Sequence, residues 1–363
     1  MSAENLYTVS LPDAALAIRA TAGDITILLE GDMGIGKSSI LKSLAADMPD
    51  YTPIYFDCTT KDLGDLMLPM LKNLDGSDYV RFATNEELGL HLNGRKIILM
   101  IDEYGKANPA VKNGLLRLMQ ERQVGPYKLH PDSIVFATTN KGNEGVGDII
   151  PPHGRNRITV LRTRKPTNME WIEWGINNGI DYALLGWCKD NPHAFQSFEE
   201  VAKPEENPYI FHPRAAGRVS FITGRSLEKL SHILKKRKLL GDDLAMSMAI
   251  GTVGGPAATA IMAHVRIGDQ LPSLQSIKDD PSTARVPTSA AAICMVVYRA
   301  LASIDRDWVD AWMTYMDRLD KEAQGMFANG VRAKVYSKKA IVMTNKLFTQ
   351  WAKNNGHLFS ADV

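Results

Sequence analysis

A glycine-rich segment near the start of the sequence carries the strongest chemical signal. Residues 31–38 fit the pattern G-x-x-x-x-G-K-[ST], between an apolar strand pattern and an amphipathic helix pattern. Glycines let backbone N–H groups turn inward around phosphate oxygens, and the helix that follows presents its positive end to them. In such a loop Lys37 reaches the terminal phosphates and Ser38 offers its hydroxyl to Mg²⁺. We therefore predict a phosphate-binding loop formed by Gly31, Asp32, Met33, Gly34, Ile35, Gly36, Lys37, Ser38 and Ser39.

A second signal is an apolar strand pattern that ends in two carboxylates. Residues 96–101 lead directly into Asp102 and Glu103. Asp102 at the tip of a strand can hold Mg²⁺ through water, and Glu103 can orient and polarise an attacking water. A strand end of this kind also occurs as a merely solvated edge, so its meaning depends on the phosphate-binding loop. Together the two motifs favour hydrolysis of a nucleoside triphosphate over phosphoryl transfer to a bound acceptor.

A third candidate is the amide that follows another apolar run. Residues 133–138 lead into Thr139 and Asn140. An amide at this place can hydrogen-bond the attacking water or the γ-phosphate, whereas the same residues taken alone indicate only a turn. From the residues alone, a turn is therefore the favoured interpretation of Asn140.

The elements that must position these residues alternate between strand and helix patterns. Strands are predicted at residues 25–29, 53–56, 96–101, 133–138 and 158–161. Their near-continuous apolar character indicates a parallel sheet that is covered on both faces. A helix is predicted over residues 109–121, with Asn108 as its cap and Pro109 at its first position. After about Lys165 helical periodicity takes over, so we predict an α/β core with a parallel five-stranded sheet, followed by helical regions.

Size and composition bound the remaining possibilities. The chain has 363 residues, enough for two or three domains, and its 42 Lys plus Arg against 41 Asp plus Glu argue against a basic nucleic-acid coat or an acidic tail protein. The longest apolar run, residues 290–298, is shorter than the roughly 18–20 residues of a membrane span. The first residues show no secretory pattern. The three cysteines form no C-x-x-C pair, so we expect buried, reduced thiols in a cytoplasmic protein.

The order of these motifs resembles that of the AAA+ ATPases, specifically their MoxR branch. The phosphate-binding loop is followed by Ile-Asp-Glu-Tyr at residues 101–104, by an Asn-Pro-Ala-Val-x-Asn-Gly-Leu-Leu helix start and by Ala-Thr-Thr-Asn at residues 137–140. Residues 62–65 resemble the start of the insert that this clade carries in its second helix, and residues 123–130 resemble the hairpin before the sensor 1 strand. The similarity covers roughly residues 10 to 265.

The resemblance implies a division of the chain and roles for the motif residues. It implies an AAA+ nucleotide-binding core over residues 1–165, a helical lid over 166–265 and a helical C-terminal region over 266–363. Lys37 and Ser38 then belong to Walker A, Asp102 and Glu103 to Walker B, and Asn140 is sensor 1, with ATP and Mg²⁺ as substrate and cofactor.

Two arginines acquire roles only through the resemblance. Arg157 lies where the family has a loop ending in Asp-Arg-Phe, which makes it the candidate arginine finger; Asn156 and Ile158 depart from that pattern, and Arg155 competes for the role. Residues 211–215 resemble the start of the sensor 2 helix. Arg214 is therefore the candidate contact of the lid with the γ-phosphate, and Arg218 is the alternative.

The function that the resemblance implies is that of a ring-forming motor. It is an ATPase acting as a homo-oligomer, usually of six subunits, that remodels or activates a partner protein. In this family the partner often carries a von Willebrand A domain, or the ATPase assists metallocofactor maturation.

Two other functions stay open at this point. A nucleic-acid-associated ATPase, such as a loader or a restriction-type motor, would use the basic runs at residues 155–165 and 235–238. A nucleotide-gated scaffold would work through the helical tail from Thr288 onward. For the basic run at 235–238 we favour an exposed helix face, and for Trp171, Trp174 and Trp187 we favour packing in a core or interface over base stacking.

Overall fold

The computed structural model describes residues 8–92, 94–141 and 156–356. The chain divides into two compact units, an N-terminal unit of residues 1–165 and a C-terminal unit of residues 166–363. The N-terminal unit holds the strands, and the C-terminal unit is helical. The fold is thus an α/β core of the P-loop type with a helical C-terminal part.

The N-terminal unit is built on a parallel sheet. Its strands, in chain order together with those of two hairpins, are β1 (Thr8–Val9), β2 (Ile27–Gly31), β3 (Thr52–Asp57), β4 (Met67–Leu74), β5 (Ser77–Thr84), β6 (Ile97–Asp102), β7 (Gln123–Val124), β8 (Tyr127–Lys128), β9 (Ile134–Asn140) and β10 (Thr159–Thr163). The main sheet has the order β1-β10-β2-β9-β6-β3, and its neighbours pair in parallel. All five predicted strands are present. The main sheet nevertheless has six strands and not the predicted five, because β1 is too short to show a periodic pattern.

Helices cover both faces of this sheet. They are α1 (Leu11–Thr21), α2 (Ser39–Asp47) and α3 (Pro109–Glu121). Successive residues of β6 point to opposite faces, so Ile98 joins the hydrophobic cluster of α1 and α2 and Leu99 joins that of α3. The Asn108 side chain accepts from the Val111 N–H at 2.9 Å, so the predicted cap of α3 is confirmed.

Two hairpins stand apart from the main sheet. The hairpin β7–β8 lies within residues 123–130, where the sequence predicted one before the sensor strand. The longer hairpin β4–β5 follows residues 62–65 and turns at Asp75 and Gly76, which both have positive φ. This is the two-residue turn that suits the right-handed twist of paired strands.

The C-terminal unit packs its helices around one hydrophobic cluster. The helices are α4 (Asn168–Asn177), α5 (Tyr182–Asp190), α6 (Gly224–Lys235), α7 (Arg237–Leu240), α8 (Asp242–Val253), α9 (Gly255–Gly268), α10 (Leu274–Asp279), α11 (Ala290–Ser303), α12 (Val309–Met316), α13 (Lys321–Arg332), α14 (Lys339–Met343) and α15 (Lys346–Asn354). The cluster runs from Trp171 to Trp351. Helix α9 continues through the boundary that the sequence placed after residue 265, so both sides of that boundary share one core.

The tryptophans belong to this core. Trp171 and Trp187 are buried, and Trp174 is partly buried against the same cluster, as the core interpretation predicted. Trp308, Trp312 and Tyr315 are also buried, and their rings contact one another in sequence, with centroids 6.1 and 5.8 Å apart. Their stripe therefore packs inside the C-terminal unit.

Two further features concern the helices and the cysteines. None of the helices in the described part of the chain has the length and apolar character of a membrane span. Cys58, Cys188 and Cys294 are buried, as the sequence predicted.

Candidate active site

The glycine-rich loop joins β2 to α2. Gly34 and Gly36 have φ of 71° and 109°, values that side-chain-bearing residues rarely adopt. These two glycines therefore give the loop its turns. Gly31 is required for a different reason, because an added Cβ would lie 2.2 Å from Thr163 Oγ1 and 3.0 Å from the Thr163 carbonyl oxygen. The end of β10 thus approaches the first residue of the loop closely.

Lys37 lies inside this loop and is buried. Its ammonium donates to the carbonyl oxygens of Gly31 and Asp32, both at 2.8 Å, and to Asn140 Oδ1 at 2.9 Å. Asn140 is in register with Gly31 across the β2–β9 pair, which explains how residues so distant in sequence meet. The strand of Asn140 thus ends beside the phosphate-binding loop.

Asp102 accepts hydrogen bonds on both of its carboxylate oxygens. Its Oδ2 accepts from Ser38 Oγ at 3.3 Å and from the Tyr55 hydroxyl at 2.8 Å. Its Oδ1 accepts from Thr138 Oγ1 and, at 3.1 Å, from the Glu103 N–H. The sequence analysis identified Ser38 and Asp102 but missed Tyr55 and Thr138, whose proximity depends on strand register.

Glu103 is held in an unusual backbone conformation directly after β6. Its φ of 53° lies in the left-handed region, which few non-glycine residues occupy. Both oxygens of its carboxylate accept from Asn140 Nδ2 at 3.2 Å, and Oε2 also pairs with Lys106 Nζ at 2.9 Å. Local strain at such a residue is typical of functional sites.

Asp32 anchors the loop to neighbouring cations. Its carboxylate is buried and lies 3.1 Å from Lys141 Nζ and 3.9 Å from Lys165 Nζ. Neither lysine could be assigned from the motif, because both are brought to the loop by the strands that precede them. Together, β2, β6 and β9 deliver the predicted loop, carboxylate and amide residues to one edge of the sheet, and β10 brings Lys165 there.

Burial changes the acid–base behaviour of two groups near Asp102. Burial, together with the hydrogen bond to Asp102, raises the pKa of Tyr55 well above its usual range. Burial, together with the nearby carboxylate Asp57, raises the pKa of the Cys58 thiol to about 12. Both groups are therefore neutral near pH 7, and Cys58 is unsuited to act as a thiolate nucleophile.

The residues at the edge of the sheet fit a magnesium ion. Ser38 and Asp102 supply a hydroxyl and a carboxylate oxygen 3.3 Å apart, and hard oxygen donors are the ligands that Mg²⁺ prefers. No cluster of three or more His, Cys, Asp or Glu side chains suited to a metal occurs among the described residues. Mg²⁺ in nucleotide sites takes one or two protein groups and completes its shell with phosphates and water.

The candidate finger arginine Arg157 lies just before β10. It is exposed, two residues before the strand begins. Arg155, the competing candidate, lies outside the described residues. Within a single chain, Arg157 is therefore placed at the start of its strand and not at the carboxyl edge of the sheet.

The predicted start of a sensor 2 helix at residues 211–215 is wrong. Short turns occur there, and α6 begins only at Gly224. The reason lies in Arg218, whose guanidinium donates to the carbonyl oxygens of Pro204, Asn207 and Ile210 at 2.7, 3.0 and 2.7 Å. These bonds fix a loop in place of a helix and make Arg218 a structural residue. Arg214 is exposed, and its guanidinium donates to the Ala202 carbonyl oxygen.

The basic run at residues 235–238 is partly engaged within the C-terminal unit. Lys235 Nζ donates to the Gly179 carbonyl oxygen, and Arg237 pairs with Asp242 and Asp269, each at 2.8 Å. These carboxylates raise the pKa of Arg237. The run thus forms structural contacts in addition to an exposed face, which weakens the argument for a nucleic-acid surface there.

The chain resembles AAA+ ATPases of known structure, although no protein-family model matches its sequence. RuvB of Thermotoga maritima, a Holliday junction branch migration motor, is 15% identical over 77% of this chain and 74% of that chain, with a TM-score of 0.35. NtrX from Brucella abortus, solved in complex with ADP, is 16% identical over 90% of this chain and 67% of that chain, with a TM-score of 0.37.

A closed state of Hsp104 with ATPγS and FITC casein is 20% identical over 65% of this chain and 47% of that chain, with a TM-score of 0.39. These identities and TM-scores are too low to support a conclusion about function. That conclusion rests on the residues of the site.

Proposed function

We propose that this protein is a Mg-ATP-dependent ATPase of the AAA+ type. The observation that carries the proposal is one hydrogen-bonded chain at the carboxyl edge of the sheet, in which Lys37 donates to Asn140 and Asn140 donates to Glu103. A cation suited to phosphate is thereby linked to a carboxylate suited to polarise water. Hydrolysis of a phosphoanhydride needs these two groups next to each other.

ATP binding would change the partners of Lys37. Its ammonium is held by two neutral carbonyl oxygens at 2.8 Å. Phosphate oxygens are charged and are therefore stronger acceptors than carbonyls. The terminal phosphates would draw Lys37 away from these carbonyls, while the backbone N–H groups around Gly34 and Gly36 surround the same phosphates.

Hydrolysis follows from the position of Glu103. A water oriented by its carboxylate attacks the γ-phosphorus, and the bond between that phosphorus and the β–γ bridging oxygen breaks. ADP leaves with the bridging oxygen, and the water oxygen becomes part of the released phosphate. The proton that the water gives up passes to Glu103 and then to phosphate or solvent.

The magnesium ion would be held by Ser38 and, through water, by Asp102. When bound, Mg²⁺ supplies charge neutralisation for the β- and γ-phosphates. The Tyr55 hydroxyl and the Thr138 hydroxyl, which donate to Asp102, keep that carboxylate oriented toward the loop.

We further propose that the enzyme is of MoxR type and acts as a homo-oligomeric ring that remodels a partner protein. The resemblance of its motifs supports this, and the exposure of Arg157 leaves its guanidinium available to the nucleotide of a neighbouring copy. Six subunits, a partner with a von Willebrand A domain, a cytoplasmic location and a γ-phosphate contact by Arg214 are parts of the same proposal.

The test of the ATPase proposal is phosphate release in the presence of Mg²⁺. We expect Lys37→Ala to lower kcat/KM for ATP by about 10²–10³-fold, because a preorganised donor to the transferred phosphate is lost. Lys42→Ala, which changes an exposed lysine of α2, is the matched control and leaves kcat/KM unchanged. Equal turnover by the parent and Lys37→Ala would contradict the proposal, as would a parent protein that releases no phosphate.

A further inference from the structure

The water-polarising carboxylate has a cationic partner for which the chemistry above gives no role. Lys106 Nζ lies 2.9 Å from Glu103 Oε2, and the two side chains are 28% and 26% exposed. Asn140 Nδ2 approaches the same carboxylate from the end of β9 at 3.2 Å. Glu103 is thus held from two sides, by an amide and by an ammonium.

The backbone places Lys106 firmly relative to Glu103. The Lys106 N–H donates to the Glu103 carbonyl oxygen at 2.8 Å, and the Ala107 N–H donates to the Tyr104 carbonyl oxygen at 3.2 Å. Tyr104, Gly105 and Ala107 are buried. Lys106 therefore belongs to a tight, anchored turn that begins at Glu103 itself.

The two partners of Glu103 are coupled differently to the phosphate-binding loop. Asn140 Oδ1 accepts from Lys37 at 2.9 Å, so a ligand that draws Lys37 away also changes the bonding of Asn140. Lys106 is tied to Glu103 through the turn that both share. Its contact with the carboxylate can therefore persist when nucleotide rearranges Lys37 and Asn140.

We propose that Lys106 is a positioning residue for ATP hydrolysis, which anchors Glu103 Oε2 and leaves Oε1 to orient the attacking water. This inference rests on the proposed ATPase function. A carboxylate with one oxygen anchored has fewer orientations to sample, and a misplacement of about 1 Å near the reacting atoms can cost about 10²-fold in rate. Lys106 itself touches neither ATP nor the water in this role.

The test compares Lys106→Met and Lys106→Arg with the parent in steady-state ATP hydrolysis. Methionine keeps the apolar stem and removes the charge, so we expect kcat to fall about tenfold while KM for ATP changes by less than about twofold. Arginine can donate to the same oxygen, so we expect it to restore most of kcat. Lys96→Met is the matched control, because Lys96 pairs with Asp132 at 2.6 Å just before the opposite end of β6.

Three results would overturn the inference. A kcat of Lys106→Met at or above the parent value would show that Lys106 does not support Glu103. A rise of KM that accounts for the loss of activity would assign Lys106 to nucleotide binding. A further loss of single-turnover rate on adding Lys106→Met to Glu103→Gln would show that it does not act through the carboxylate. Failure of the ATPase proposal is distinguishable from these results, because the parent protein and Lys37→Ala would then show equal phosphate release.

Discussion

The carboxyl edge of the sheet and the loop of residues 201–223 both collect charged side chains, but they bond them differently. At the sheet edge, Lys37 and Lys106 reach the Asn140 and Glu103 side chains, and Lys37 also donates to the carbonyl oxygens of Gly31 and Asp32. In the loop, Arg218 bonds to backbone carbonyl oxygens. A chain of bonded side chains can pass a change at Lys37 through Asn140 to Glu103, whereas a guanidinium shared by three carbonyl oxygens holds backbone in place. The arrangement at the sheet edge suits a functional site, and the arrangement around Arg218 suits a structural role.

The largest expected effect concerns whether the active site of one chain needs an arginine from a neighbouring copy. If Arg157 serves the nucleotide of a neighbouring copy, Arg157→Ala lowers kcat of the assembled protein by about 10³–10⁵-fold, because a charge that stabilises the transition state is lost. ATP binding and the assembly itself stay intact. The checks are phosphate release together with light scattering of the eluted oligomer.

Arg162→Ala is the matched control for Arg157, because Arg162 lies on β10, which begins two residues after Arg157, and pairs with Glu30 at 2.9 Å. Unchanged turnover of an assembled Arg157→Ala protein would place the finger elsewhere, with Arg155 as the next residue to test.

The next effect tests the role of the sheet edge. Glu103→Gln keeps the length of the side chain but removes its negative charge and the base, so kcat falls by about 10²–10⁴-fold. Affinity for ATP stays within a few-fold of the parent, since Glu103 does not hold the phosphates. Glu121→Gln, at the exposed end of α3, leaves kcat unchanged. Parent-level turnover by Glu103→Gln would remove Glu103 from the mechanism.

The smallest expected effect concerns the structural hydrogen bonds of Arg218. Arg218→Ala leaves three carbonyl oxygens without a donor, so the free energy of unfolding falls by about 1–3 kcal/mol. Denaturant unfolding measures this loss. Arg214→Ala, which alters an exposed arginine, costs less than about 0.5 kcal/mol but reduces ATP turnover if Arg214 contacts the γ-phosphate. Equal stability of Arg218→Ala and the parent would contradict the structural role of Arg218.

The same comparison explains how much the sequence could predict. The loop residues, Asp102, Glu103 and Asn140 were identified because each stands at the end of an apolar strand, and parallel strands place such ends at one edge. The central strands β2, β6 and β9 were found because they are apolar on both faces. Local pattern and a general rule of sheet topology were sufficient for this part of the molecule.

What the sequence did not predict depends on register or on long-range hydrogen bonds. Tyr55 meets Asp102 because β3 and β6 pair with Asp57 opposite Asp102. Lys165 reaches Asp32 because β10 lies beside β2. The bonds of Arg218 were not predicted because its three carbonyl partners lie in irregular chain that has no periodic pattern.

The most direct test of the central claim is a crystal structure of Glu103→Gln with Mg-ATP. The account predicts that Lys37 leaves the Gly31 and Asp32 carbonyl oxygens and lies within hydrogen-bond distance of the γ-phosphate, with Ser38 on the metal. A loop that stays closed on Lys37, with nucleotide bound elsewhere or absent, would contradict it.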